Sequence, residues 1–139
     1  MVEHDLRTVT SGVNAVPPAE YAVTVISGSA IDTLGHESLH FYTETGVVTD
    51  GTYTVSLVEG DTASTTDRLA NGAMTAVDAS EILGSNPTIA LTQDNSVHAI
   101  GTNSKKRYVA LKITGAGVSS GGFFSSTAVL GHPKVSPTP

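Results

Sequence analysis

Apolar residues recur at every second position over short runs punctuated by Gly, Asp, Asn and Pro, and this alternation restricts the chain to β-structure. It is plainest near the C-terminus. Over residues 107–114, Val109, Leu111 and Ile113 fall on one face, whereas Tyr108, Ala110, Lys112 and Thr114 fall on the other. Over residues 123–131, Phe124, Ala128 and Leu130 share a face in the same way. The Gly- and Ser-rich stretch 115–122 between them predicts a reversal, so the two runs read as a hairpin with one apolar side. A second hairpin is expected over residues 37–57. Leu39 and Phe41 alternate on one arm and Tyr53, Val55 and Leu57 on the other, around Asp50-Gly51, which tolerates positive φ.

Shorter runs complete the pattern. Residues 21–27 predict the first strand, and residues 87–91 and 96–102 two more around an Asp94-Asn95 turn. Asp78-Ala79-Ser80-Glu81 has capping-box spacing and precedes Ile82-Leu83-Gly84, which predicts one helical turn. Residues 59–72 are small and polar and read as an exposed loop. Only 14% of residues are charged, too few for the ion-paired outer faces of surface helices. The resulting expectation is an all-β, antiparallel β-sandwich of jelly-roll-like form, with at most one short helical turn. A chain of 139 residues suits one such domain, placed at residues 20–133. Residues 1–19 lack a sustained period and include Pro17-Pro18, so they read as an extended N-terminal arm reaching on the order of 60 Å. Residues 134–139 read as a flexible tail.

Several function classes lose support. The net charge of −6 opposes a broad nucleic-acid footprint, and the absence of cysteine removes disulfide and thiolate chemistry. No apolar run approaches membrane-spanning length, and the first residues lack the basic-then-apolar order of a signal peptide, so synthesis in the cytoplasm and no membrane partner are expected. His36-Glu37-Ser38-Leu39-His40 matches the zinc-protease string H-E-x-x-H, which works only on a helix. The string here runs into alternating, β-branched residues. A strand would send Glu37 away from the two histidines, so no metal, cofactor or catalysis is expected. Ser119-Ser120-Gly121-Gly122 lacks the Lys and helix of a phosphate loop and reads as a hairpin tip. Lys105-Lys106-Arg107, at a strand entrance, is suited to an acidic partner surface or a phosphate. Three Phe and four Tyr are sparse for an aromatic carbohydrate platform.

Three segments carry a family resemblance: residues 37–61, 76–85 and 94–133. Their most specific part is Lys106-Arg107-Tyr108-Val109-Ala110-Leu111, then Thr114-Gly115, then Ala128-Val129-Leu130-Gly131-His132-Pro133. In order and spacing these segments resemble the small head decoration, or cement, proteins of tailed bacteriophages. His36 and His40 depart from the more apolar pattern expected there. The resemblance implies a virion structural protein on the outer surface of an icosahedral head. It would tie neighbouring major capsid subunits together, with the major capsid protein and further copies of itself, as dimer or trimer, for partners and no catalysis. The arm lies outside the resembling segments; its reach makes Leu6, Arg7, Val9, Val13, Val16, Pro17 and Pro18 candidate clamp residues, beside Lys105, Lys106 and Arg107 at the basic turn. The alternative is a tail- or fibre-associated β-sandwich module that recognises a host-surface ligand through clustered aromatic residues.

Overall fold

The computed structural model describes residues 10–61 and 74–134. Their strands are β1 (Thr10–Tyr21), β2 (Val25–Ser27), β3 (Ile31–Asp32), β4 (His36–Val48), β5 (Thr52–Gly60), β6 (Thr75–Ala76), β7 (Ile82–Leu83), β8 (Thr88–Ile89), β9 (Val97–Thr102), β10 (Tyr108–Ala116) and β11 (Gly122–Pro133). One sheet has the order β1-β11-β4-β9-β7. The other runs β2-β10-β5-β6, with β3 added on β10 and β8 on β5. All the pairings are antiparallel.

This order is a jelly roll. Taking β2 with β3 as one interrupted strand along β10, and β6 with β8 as one along β5, the first strand pairs the last, the second the last but one, and so on inward. The result is a long hairpin rolled up so that β11 meets β4 and β10 meets β5. The sandwich expectation therefore holds. The inward faces are the alternating sets read from the sequence: Leu39 and Phe41; Tyr53, Val55 and Leu57; Val109, Leu111 and Ile113; Phe124, Ala128 and Leu130 are all buried. A buried side chain of this size stabilises by roughly 1.5–3 kcal/mol against an exposed one. Val58, Met74 and Ala110, with Tyr108 packed against them, form a smaller cluster on the outer face of the β10-β5 sheet.

Four expectations require correction. Both hairpins are arches: β4 and β5 belong to different sheets, as do β10 and β11, so each reversal carries the chain across the core. Alternation is unchanged by this, because strands on opposite walls face the same interior. The runs at 87–91 and 96–102 likewise go to different sheets, as β8 and β9, with a second 3-10 turn, Leu91–Gln93, between them. Asp78 caps the expected turn at Ala79–Glu81, its carboxylate accepting from the Ser80 N–H at 2.9 Å. The supposed first strand breaks at residues 22–24, where the chain leaves Tyr21, paired with Gly122, for Val25, paired with Thr114.

The fourth correction concerns the arm. Residues 10–19 form the edge strand β1, paired along β11 from Thr10 opposite Gly131 to Tyr21 opposite Gly122, with irregularities at Asn14/Val16 and Val16/Ala19. Pro17 and Pro18 sit in the second irregularity, on an edge where a missing N–H breaks no interior ladder. Ala15 and Val16 enter the core at 0% and 1% exposure. Of the expected loop at 59–72, Glu59 and Gly60 belong to β5, and residues 62–72 lie outside the described residues. Residues 135–139 of the expected tail also lie outside them, whereas the Lys134 N–H donates to the Gly35 carbonyl at 2.8 Å.

Candidate functional site

One pole of the sandwich holds the three basic candidate residues, Lys105, Lys106 and Arg107. The basic turn lies between β9 and β10 and is braced from beneath. The Thr33 N–H and hydroxyl both donate to the Arg107 carbonyl at 2.8 Å. Arg107 forks onto Asp32, Nε to Oδ1 at 3.1 Å and Nη2 to Oδ2 at 2.9 Å, and its guanidinium carbon stands 5.1 Å from the Tyr108 ring centroid. Lys106 Nζ reaches Asp61 at 2.8 Å. The Arg107 hydrogen bond, helped by the Leu34 N–H, holds the Asp32 carboxyl below its usual range, and the bond to Asp61 raises the Lys106 ammonium. Exposed pairs like these contribute little to stability. Their effect is to orient two cations, while Lys105 makes neither pair.

Beside this turn is a cleft of about 490 Å³ between the 33–39 segment, the 102–107 segment, Asp61 and Lys134. His36 lines it, and neither of its buried ring nitrogens has a partner among the described residues. The Ser38 hydroxyl and His132 Nδ1 lie 2.9 Å apart, and His132 has φ of +49°. The H-E-x-x-H string occupies the start of β4, so the helix that a zinc protease needs is replaced by a strand. Among the described residues no group of three or more His, Cys, Asp or Glu is arranged to hold a metal ion.

The clamp residues divide. Val13 is 41% exposed on the β1 edge, and Pro17 and Pro18 are exposed, but Val16 is core and unavailable to a partner. Leu6, Arg7 and Val9 lie outside the described residues. The same pole nonetheless gathers both ends of the described chain. Thr10 pairs with Gly131, Pro133 with His36, and Lys134 lines the cleft together with Lys105, Lys106 and Arg107.

Two features escaped the sequence reading. At the opposite pole Asp50 ties the two arches together, its carboxylate accepting from the N–H groups of Ser119, Ser120 and Gly121 at 3.0, 2.7 and 2.8 Å. The Asp50-Gly51 pair signalled a turn, but nothing local names a partner 70 residues away. On the outer face of β4, His40 and Tyr42 hold their rings 6.4 Å apart and 23° from parallel. The i, i+2 spacing on a strand was the available signal.

No family model matches the chain, and no curated protein matches it. One solved structure similar to part of its course is the structure of infectious bursal disease virus Gx strain, with 12% identity and a TM-score of 0.24. That match covers 87% of this chain and 39% of the other, so the chain spans well under half of that protein's length. A likeness at this level carries no argument. No helix among the described residues is long and apolar enough to cross a membrane.

Proposed function

We propose that this chain is a virion structural protein that decorates the outside of a tailed-phage head and cements neighbouring major capsid subunits. The observation that carries the reading is the convergence at one pole: β1 begins there at Thr10 opposite Gly131, and Lys134, after β11, lines one cleft with the braced Lys105–Arg107 turn. A pole that presents the rim of the first and last described strands beside two oriented cations offers contacts to several neighbouring surfaces at once. Tethered contacts of this kind act at high effective concentration, so individually weak ones sum to a durable hold. The segment resemblance stated above supports the same role, and the jelly roll recurs in capsid as in lectin domains, which is an analogy of fold alone.

Co-sedimentation with expanded, undecorated heads tests the proposal, comparing the full chain with one starting at Thr10 and with Lys105→Glu. Lys105 makes neither of the turn's ion pairs, so its reversal leaves those braces in place. The expected result is saturable binding that raises the heads' resistance to heat and weakens in both variants. No binding by the full chain overturns the cement reading. Equal binding by all three overturns the role of this pole.

A further inference from the structure

From the flank of the five-stranded sheet we infer a second binding site, for a neutral saccharide of the hexopyranose class, centred on His40 and Tyr42. It stands independently of the capsid reading, because it uses a sheet face and not the pole. Tyr42 is 41% exposed, and its ring and that of His40 are near parallel with centroids 6.4 Å apart. Such an arrangement offers aromatic surface to the apolar C–H face of a pyranose. Room for it is made on the neighbouring strand. A Cβ on Gly101 would stand 2.6 Å from His40 Nε2, so the imidazole occupies space that any other residue at that position would fill.

The surroundings match the rest of a sugar. Across the ladder, Tyr42 pairs with Thr127 and Ala99, His40 with Val129 and Gly101, and Glu44 with Ser125 and Val97. Asn14 on β1 lies beyond Thr127. Short hydroxyls, an amide and one carboxylate therefore border the rings, a set that exchanges hydrogen bonds with ring hydroxyls. Val129 and the exposed Val97 stand among them. At these paired positions Glu44 is the only ionised side chain and no cation is present, which fits an uncharged sugar and opposes an acidic one. The other sheet differs. Its outer face carries Lys112 and is filled in part by Met74 against Val58 and Ala110.

The test is a titration of the ¹⁵N-labelled full chain with the methyl glycosides of glucose, galactose and mannose and with N-acetylglucosamine, followed by amide shifts. Saturable shifts are expected at Tyr42, Gly101 and Thr127 with at least one of these sugars, and Tyr42→Ala should weaken binding by about tenfold while leaving the remaining spectrum in place. A second variant, Gly101→Ser, should displace the imidazole and weaken the same sugar. Absence of shifts with all four sugars overturns the site. So do shifts confined to the Lys105–Arg107 pole, or an affinity unchanged in Tyr42→Ala.

Discussion

Asp50 shows how much of the fold rests on one short side chain. Its carboxylate faces three backbone N–H groups, and the Thr49 and Asp50 N–H groups both donate to the Gly121 carbonyl, at 2.9 and 3.3 Å. Those three donors hold the Asp50 carboxyl below its usual range. A folded-state value below the unfolded one adds stability above the unfolded pKa of about 3.9, and that stability is lost as pH falls through the folded value. Asp50→Asn should therefore lower the unfolding midpoint at neutral pH, and the gap from the parent should close in acid. A gap of constant size down to acid pH would remove the charge from the explanation. Gly121 beside it has φ of +81°, and a Cβ there would lie 1.9 Å from the Tyr21 carbonyl oxygen. Gly121→Ala thus combines strain with a backbone clash and should cost about 3 kcal/mol or more by denaturant titration. Tyr53 illustrates the opposite case. Its ring packs 4.7 Å from Phe124, yet its buried hydroxyl has no partner among the described residues. Tyr53→Phe removes that unmatched group and should be neutral or stabilise by up to about 1 kcal/mol; a loss beyond 1 kcal/mol would reveal a partner for the hydroxyl.

At the scale of elements, alternation made the inward faces of β4, β5, β10 and β11 legible while leaving their pairing open. An apolar stripe records which side of a strand is buried, and a hairpin and an arch bury the same stripe. Choosing between them depends on contacts far along the chain, such as Leu39 opposite Thr102 and Val58 opposite Ala110, which no local window contains. The strand β1 was hidden for a different reason. Pro17-Pro18 reads as a break, and only an edge location with two irregularities reconciles it with a ladder. Candidate site residues followed the same division. The basic turn was legible as a charge cluster, but its braces from Asp32, Thr33 and Asp61 were not, and the His40–Tyr42 pair was obscured by a low total of aromatic residues. The assignment of β1 can be checked within the strand. Val16→Ala should destabilise by about 1–3 kcal/mol, because the site is closed by core neighbours. Val13→Lys, on the exposed edge, should change stability by no more than about 0.5 kcal/mol. A free arm would make both substitutions silent.

The whole molecule is closed by its most distant parts. Strand β1 lies along β11 for nearly its full length, and β11 is in turn bonded to β4, so the last strand is held between the first and the fourth. A chain starting at Glu20 would lose Ala15 and Val16 from the core and leave one side of β11 without its ladder. Its failure to bind a partner would then report unfolding, whereas a chain starting at Thr10 keeps every described element and isolates the contribution of residues 1–9. The same closure governs kinetics. In a jelly roll the outermost pair joins residues at opposite ends of the sequence, so the loop-closure entropy is met before most native contacts reward it. Refolding should fall in the millisecond-to-second range typical of non-local β-topologies, and stopped-flow dilution from denaturant measures it directly. Val16→Ala adds a position-specific expectation. If the roll closes last, its destabilisation appears mainly as faster unfolding with the refolding rate nearly unchanged. A refolding rate reduced in proportion to the lost stability would instead place the β1–β11 pairing in the folding nucleus and reverse that order of assembly.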